Sequence, residues 1–308
     1  MTIASIDIGT NTVILLIAEV NTVTKSIVPV FNDYNMPRIG RGIKQNGKIS
    51  SESISNLLAV LRKYKSIINK FNCGRIIVSG TNVFRIASNS SEIIETIRKE
   101  CGMELIVIDG NEEAEYAYLG ATSALKTIGR TTVIDIGGSS TEIITGDTTK
   151  ILSKVSLQLG SVTATEEFLK SSPPTINEIE SLNSSATNHF RTYNNSLVSS
   201  QIIAVAGTAT TLACMHLGLK EFDEDLVDNF TLKKDDLIHM ISEISKLDST
   251  GILNKYGTIM QGREDIIMAG TIILEQFLKY YKIENVSVST RGIRYGAIVK
   301  NIFNKTTD

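Results

Sequence analysis

The chain alternates between short apolar runs and longer stretches in which apolar residues recur every three or four positions. The runs at residues 3–8 and 13–20 are rich in aliphatic side chains and end at polar turns, which is typical of strands. Over residues 50–71 the apolar spacing predicts an amphipathic helix that begins at Ser50 or Ser51. The two patterns together indicate an α/β fold.

The same criteria predict elements along the rest of the chain. Further strands are expected at residues 23–31, 104–108, 133–136, 151–159, 202–206 and 286–289. Further helices are expected at residues 90–101, 112–125, 162–169, 175–197, 207–216, 233–246, 264–281 and 293–303. A glycine-rich connection containing Gly251, Gly257 and Gly262 is expected between the helices at 233–246 and 264–281.

One strand-and-turn pattern occurs twice. Ile-Asp-Ile-Gly around Asp7 returns around Asp135, 128 positions later. A second pattern, an apolar strand followed by Gly-Thr, occurs at Gly80 and returns at Gly207, 127 positions later. Two matches at nearly one spacing indicate a duplicated domain, and 308 residues are enough for two hydrophobic cores. We therefore predict two packed domains with a cleft between them.

Composition and charge limit the kinds of molecule that the chain can bind. Hydrophobic residues make up 42% and charged residues 21%, which is ordinary for a globular protein. The net charge of −2 gives no general attraction for nucleic acid or for an anionic membrane, so any polyanion must be bound locally. No run is long enough to span a bilayer and the N-terminus lacks a signal-peptide pattern, so we expect a cytoplasmic location.

Neither the cysteines nor the histidines suggest a chemical site. Three widely spaced cysteines without a Cys-x-x-Cys pair favour reduced, buried thiols, and three histidines without paired spacing argue against a histidine metal site. These residues are Cys73, Cys101, Cys214, His189, His216 and His239.

The stretch at residues 133–142 combines a strand with a turn suited to an anion. Gly-Gly-Ser-Ser-Thr offers backbone N–H groups and hydroxyls that suit a phosphate. Asp135 and Glu142 bracket this turn, and carboxylates there would hold a divalent cation or position water. A glycine-rich hairpin with a purely structural role explains the same residues, so this stretch alone leaves both interpretations open.

Several motifs, in order over nearly the whole chain, resemble the exopolyphosphatase and guanosine pentaphosphate phosphohydrolase family, within the acetate kinase, sugar kinase, Hsp70 and actin superfamily. They are Ile6-Asp-Ile-Gly-Thr-Asn11, Arg38-Ile-Gly, Arg85-Ile-Ala-Ser-Asn89, Ile108-Asp-Gly-Asn-Glu-Glu-Ala114, Asp135-Ile-Gly-Gly-Ser-Ser-Thr-Glu142, Leu159-Gly-Ser161, Gly207-Thr-Ala-Thr-Thr211 and Arg263 near Asp265. The resemblance implies two ribonuclease H-like domains.

The resemblance also implies an activity and roles for carboxylates. It implies Mg²⁺-dependent removal of the terminal phosphate of inorganic polyphosphate, with guanosine pentaphosphate as the alternative substrate. Glu113 is implied as the general base that activates water, and Asp135, Glu142 and Asp7 as metal ligands or groups bound to the metal through water. From the residues alone, the glutamates at 112, 113 and 115 are better explained as favouring a helix N-terminus, and the resemblance reverses that preference for Glu113.

The resemblance also implies which residues contact the substrate. The residues implied to bind phosphate oxygens are Gly9, Thr10, Asn11, Arg85, Gly137, Gly138, Ser139, Ser140, Gly207 and Thr208. Arg85 is expected to add a bidentate contact, although an exposed surface arginine is the alternative.

The chain departs from the family pattern at three positions. Ser139 replaces a third glycine in the second turn, and Tyr295 replaces a glutamate in the closing motif. Residues 80–85 also differ from the usual sequence before the arginine, and we do not expect the extra C-terminal domains of longer members in this chain.

The sequence also predicts domain boundaries and leaves other functions open. We expect domains at residues 1–124 and 125–296, with the C-terminal helix at 297–308 packing on the first. A homodimer is a hypothesis taken from family likeness. A small-molecule kinase or a filament-forming or chaperone-like ATPase would use the same turns, but Glu113 in the family's position favours hydrolysis.

Overall fold

The computed structural model describes residues 1–125, 129–147, 150–193 and 199–304. The chain divides into two compact units. Unit 1 comprises Met1–Ala124 together with the C-terminal segment from Arg291, and unit 2 comprises Leu125–Thr290. Residues 126–128, just after the predicted domain boundary between residues 124 and 125, lie outside the described residues.

Unit 1 is built on a five-stranded sheet in the order β3-β2-β1-β4-β5. The first three strands form an antiparallel meander, and β4 and β5 run parallel to β1. The elements up to residue 122 are β1 (Thr2–Ile8), β2 (Val13–Asn21), β3 (Ser26–Asn35), α1 (Ile43–Asn46), α2 (Ser51–Lys70), β4 (Arg75–Gly80), α3 (Asn82–Ile86), α4 (Ser90–Cys101), β5 (Leu105–Val107) and α5 (Gly110–Thr122).

The core of unit 1 lies between this sheet and α2 with α4. Ser50 caps α2 by accepting a hydrogen bond from Ser53 N, as its sequence predicts. The apolar face of α2 is buried, and Tyr64 on that face donates to Val13 O at 2.9 Å. The predicted amphipathic helix therefore supports the strand that follows the first glycine turn.

Unit 2 contains a six-stranded sheet in the order β10-β11-β9-β6-β7-β8. Its elements are β6 (Thr131–Ile136), β7 (Thr141–Gly146), β8 (Ile151–Leu157), α6 (Ser161–Phe168), α7 (Ile176–Tyr193), β9 (Gln201–Val205), α8 (Ala206–Leu217), α9 (Glu224–Val227), β10 (Thr231–Lys233), α10 (Lys234–Ile244), α11 (Ser249–Tyr256), α12 (Ile267–Tyr281) and β11 (Asn285–Val288).

The two sheets share one topology. Read as β8-β7-β6-β9-β11, unit 2 repeats the order β3-β2-β1-β4-β5 of unit 1, and β10 adds one antiparallel strand at the edge. Strands β6 to β8 form the same antiparallel meander, and β9 runs parallel to β6. This is the ribonuclease H-like arrangement, so the predicted duplication of an α/β domain is confirmed.

The C-terminal segment packs on unit 1. Helix α13 (Ile293–Ile298) continues into a π turn at Val299–Phe303 and lies against α5. Two glycines allow this close contact, because a Cβ at Gly296 would lie 1.8 Å from Tyr116 O and one at Gly120 would lie 2.1 Å from Gly292 O. Residues 305–308 of the predicted last helix lie outside the described residues.

The sequence prediction was wrong for the glycine-rich connection. Helix α11 forms there, followed by a 3₁₀ turn at Gly257–Met260. Asp248 caps α11 by accepting from Gly251 N at 2.7 Å, so this glycine lies inside a helix, while Gly257 has a φ of 77° and ends it. Along the described chain, no helix combines the length and apolar character needed to cross a membrane.

Candidate active site

The repeated turns have the same backbone geometry in both units. Gly9 N donates to Thr12 O at 2.9 Å, and Gly137 N donates to Ser140 O at the same distance. The Gly-Thr motif that follows or ends the neighbouring parallel strand bonds the residue just before each turn, since Thr81 N donates to Ile8 O at 3.2 Å. In unit 2 the Thr208 hydroxyl donates to Ile136 O at 3.4 Å. Each predicted phosphate turn is thus attached to the Gly-Thr motif of its own unit.

The Arg38-Ile-Gly motif fixes the turn of unit 1. Arg38 N donates to Asn11 O at 3.1 Å and Gly40 N donates to Thr10 O at 2.8 Å. A Cβ at Gly40 would lie 2.1 Å from Thr10 Cγ2, so only glycine allows this approach. Thr10 and Asn11 are buried, which restricts the conformations open to their side chains.

Helix α6 fixes the turn of unit 2 in a similar way. Ser161 N donates to Gly137 O at 2.9 Å, and Val162 N donates to Gly138 O at 2.7 Å. Gly160, just before the helix, packs on the turn so closely that a Cβ there would lie 2.4 Å from Ser139 N. The Leu-Gly-Ser motif is therefore a support for the second turn, and Ser139 and Ser140 are buried beside it.

Two adjacent glutamates at the start of α5 have different structural roles. Asp109 accepts from Asn111 N at 2.7 Å and from Glu112 N at 2.8 Å, and Glu112 Oε2 accepts from Asp109 N at 3.0 Å. This is a reciprocal capping box. Glu113 takes no part in it and is 6% exposed. The helix-terminus interpretation is thus correct for Glu112, whereas Glu113 is a buried carboxylate.

Arg85 pairs with Glu113. Its Nη1 donates to Glu113 Oε2 at 2.7 Å and to Ile108 O at 2.7 Å. Its side chain is 20% exposed, so Arg85 is not the exposed surface arginine that the sequence left open. Helix α3, which the sequence analysis missed, carries Arg85 to this position. The expected contact of Arg85 with phosphate stays a prediction.

The carboxylates of unit 1 lie in a poorly solvated environment. Burial raises the pKa of Glu113, and the positive charge and hydrogen bond of Arg85 oppose that rise. Burial, together with the negative charge of Glu113, raises the pKa of Asp7 to about 7, while Arg294 opposes the shift. Asp7 Oδ1 is buried without a hydrogen-bond partner among the described residues. Sequence reasoning assigned no role to Arg294, although the closing motif contains it.

Replacing Arg85 with glutamine should move the acid limb of the activity profile to higher pH. Without the guanidinium, the Glu113 pKa rises further, so a higher pH is needed to ionise this carboxylate. Loss of one charge-assisted hydrogen bond should also reduce kcat/KM by about 10- to 100-fold. The measurement is kcat/KM against pH for both proteins. Arg98→Gln, which removes an exposed arginine paired with Glu95, serves as control and should keep the wild-type profile.

Asp135 and Glu142 form a carboxylate pair in unit 2. They are directly opposite each other on β6 and β7, which places both side chains on one face of the sheet with Cβ atoms about 4.5–5.5 Å apart. Both are buried, and Ser156 Oγ donates to Glu142 Oε1 at 2.6 Å. Asp7 belongs to unit 1, where it lies near Glu113, and its expected role at a metal stays a prediction.

Arg263 is a further residue of the second Gly-Thr site. A Cβ at Gly207 would lie 2.2 Å from both Arg263 Nη1 and Nη2, so the guanidinium rests directly on this glycine. The preceding Ala206 has a φ of 68°, a left-handed conformation that costs a non-glycine residue about 1–2 kcal/mol. Backbone strain of this kind is concentrated at functional sites. The sequence motif contained Arg263 but gave it no role.

Comparison with known proteins decides the family. The model of the Ppx/GppA phosphatase family matches residues 16–304. The chain belongs to this family. It is therefore an enzyme of the class that hydrolyses phosphoanhydride bonds. Among the relatives, exopolyphosphatase 2 of Mycobacterium tuberculosis is 26% identical over 314 residues, which cover 96% of each chain.

A solved structure and a longer relative extend the comparison. The crystal structure of an exopolyphosphatase from Cytophaga hutchinsonii covers 99% of both chains with a TM-score of 0.89 at 25% identity. The bifunctional 3-dehydroquinate synthase/phosphatase of Fusobacterium nucleatum is 30% identical over 98% of this chain. The chain spans only 47% of that protein, about half its length. The predicted two-domain α/β fold is thus shared with Ppx/GppA structures.

Proposed function

We propose that this Ppx/GppA enzyme is a Mg²⁺-dependent exopolyphosphatase that releases the terminal orthophosphate of inorganic polyphosphate. The observation that carries the proposal is Glu113, a buried carboxylate in an ion pair with Arg85 at the start of α5. A carboxylate whose pKa is raised is suited to accept a proton from water near neutral pH. The full-length match to relatives named exopolyphosphatase supports the choice of substrate.

In this mechanism Glu113 is the general base. Its carboxylate accepts a proton from water as the water oxygen forms a bond to the terminal phosphorus, and the bond from that phosphorus to the bridging oxygen breaks. The remaining polyphosphate leaves with the electron pair of the broken bond. Arg85 holds the Glu113 carboxylate through Nη1, and Nη2 carries hydrogens suited to a substrate oxygen.

The two glycine turns and the Gly-Thr motif of unit 2 would bind phosphate oxygens. Each turn is short, fixed by backbone hydrogen bonds and rich in hydroxyl or amide side chains, which suits a multiply charged anion. The contributing residues are Gly9, Thr10, Asn11, Gly137, Gly138, Ser139, Ser140, Gly207 and Thr208.

The residues present fit a Mg²⁺ site completed by the substrate. No set of three or more Asp, Glu, His or Cys side chains in the described ranges is arranged to hold a metal by itself. Mg²⁺ is commonly held by one or two carboxylates with water and phosphate oxygens, which matches the Asp135–Glu142 pair. The orphaned Asp7 Oδ1 is a further candidate ligand. When bound, Mg²⁺ would neutralise charge on the phosphoryl oxygens.

The proposal is tested by orthophosphate release from polyphosphate, guanosine pentaphosphate and ATP under identical conditions, with and without Mg²⁺. Polyphosphate should have the highest kcat/KM, and chelation of Mg²⁺ should abolish release. Asp135→Asn should raise the Mg²⁺ concentration for half-maximal activity at least about tenfold, because one carboxylate ligand is lost. A higher kcat/KM for guanosine pentaphosphate would contradict the proposed substrate. Full activity in the presence of a chelator would contradict the proposed dependence on Mg²⁺.

A further inference from the structure

A basic segment lies beside the first glycine turn, outside the residues assigned above. We call residues 38–48 the basic strap. It contains Arg38, Arg41, Lys44 and Lys48, and no Asp or Glu occurs between Asp33 and Glu52. The whole chain has a net charge of −2, so this local excess of four positive charges contrasts with the remainder of the protein.

The strap is held in place at both ends. At its start, Gly40 N donates to Thr10 O of the glycine turn at 2.8 Å. At its end, Gly47 O accepts from Ser88 N at 2.9 Å, and just beyond it the Asn89 side chain bonds both Ile49 N and Ile49 O. The strap therefore connects the turn to the segment that follows Arg85.

Buried and exposed positions divide the strap by chemistry. Ile39, Ile43 and the following Ile49 are at most 2% exposed and pack into the core of unit 1. The side chains of Arg41 and Lys48 are exposed, and within the described part of the chain neither forms an ion pair or side-chain hydrogen bond. Arg41 and Lys48 therefore keep their full positive charge at the surface, and a bound polyanion would neutralise it.

We infer that the basic strap binds the inner phosphates of a polyphosphate chain whose terminal phosphate is bound at the turn of residues 9–12. Arg41 directly follows Gly40, whose N–H is bonded to that turn, so the exposed cations of the strap begin one residue after the contact with the turn. This inference rests on the proposed function and adds a subsite to it.

The chemistry of the strap favours a linear polyanion over a nucleotide. Polyphosphate continues beyond its terminal group with one negative charge on each phosphate. Guanosine pentaphosphate instead divides its charge between a 5′ triphosphate and a 3′ diphosphate, and the neutral ribose interrupts the line of phosphates. Neutralising closely spaced phosphates with Lys and Arg releases counterions, so binding at the strap should depend strongly on salt.

The test is equilibrium binding of medium-chain polyphosphate and of tripolyphosphate to proteins carrying Glu113→Gln, which keeps the ligand intact, at several salt concentrations. In that background, Arg41→Gln/Lys48→Gln should weaken polyphosphate binding about 5- to 30-fold at low salt and tripolyphosphate binding far less. The slope of log Kd against log salt should fall by about 1 to 1.5. Lys25→Gln/Lys70→Gln, two exposed lysines of the same unit, is the matched control and should bind both ligands normally.

Three outcomes would each refute the proposed role of the strap in binding polyphosphate. They are equal losses of affinity for both ligands, an equal loss of affinity in the control protein, and unchanged binding of polyphosphate. Orthophosphate release by the protein with Glu113 intact is measured separately. Release of orthophosphate together with binding that does not depend on the strap would refute the strap's role and leave the proposed function in place. Strap-dependent binding without any release would refute the proposed function and leave the strap in place.

Discussion

Replacing Glu113 with glutamine should lower kcat for orthophosphate release by about 10²- to 10⁴-fold, the usual contribution of a general base. Glutamine has nearly the same shape and its carbonyl oxygen can still accept the hydrogen bond from Arg85 Nη1, so the fold should persist. The loss is therefore expected in kcat rather than in KM. Steady-state kinetics on polyphosphate, with a thermal melt of each protein, measures both quantities.

Glu112→Gln is a closely matched control. Glu112 lies on the same helical turn and its Oε2 accepts from Asp109 N, a role in the capping box that glutamine also performs. This variant should retain wild-type kcat and stability. A Glu113→Gln protein with near-normal turnover would refute the assignment of the base, and an equal loss in both variants would indicate a helix-terminus effect instead.

Gly160→Ala should reduce kcat/KM by about 10²-fold or more and lower the free energy of unfolding by about 1–3 kcal/mol. The added Cβ would lie 2.4 Å from the Gly138 carbonyl carbon and from Ser139 N. Both contacts are backbone atoms of the second turn, which cannot rotate away as a flexible side chain would. The methyl group must therefore displace the residues proposed to bind phosphate. Kinetics and chemical denaturation of the purified variant test this expectation.

The control for Gly160→Ala is an alanine at an open glycine. Gly74 lies in an exposed loop of unit 1, and a Cβ there would meet only Thr2 O at 4.0 Å. Gly74→Ala should leave kcat/KM at the wild-type value. Normal activity in Gly160→Ala would show that the second turn tolerates displacement, and its proposed role in phosphate binding would then be wrong.

Local signals in the sequence were sufficient for most elements and for both turns. Ser50 is a good N-cap, and the apolar spacing after it predicts α2 to within about one residue. The glycine-rich connection before α12 was misread because glycine usually interrupts a helix. Here the Asp248 cap and burial of Ile252 stabilise α11 despite Gly251. The structure of residues 194–197, at the end of the predicted helix 175–197, lies outside the described range.

Local patterns could not separate the roles of neighbouring charged residues. Glu112 and Glu113 occur in one acidic run, yet one caps a helix and the other is buried against Arg85, 28 positions away in the chain. Likewise, the Leu-Gly-Ser motif gave no sign that Gly160 packs on Gly138. These outcomes depend on which distant segments meet, and spacing along the chain does not contain that information.

The sequence by itself determined the duplicated α/β topology, the two glycine turns and the family, because these features arise from local periodicity, turn chemistry and ordered motifs. Only the tertiary structure decided that Glu113 pairs with Arg85, that Asp135 and Glu142 share one face of a sheet, and that the basic strap is tied to the first turn. Burial and charge pairing are set by the packing of elements distant in sequence, and they determine which of the available carboxylates and cations are placed for chemistry.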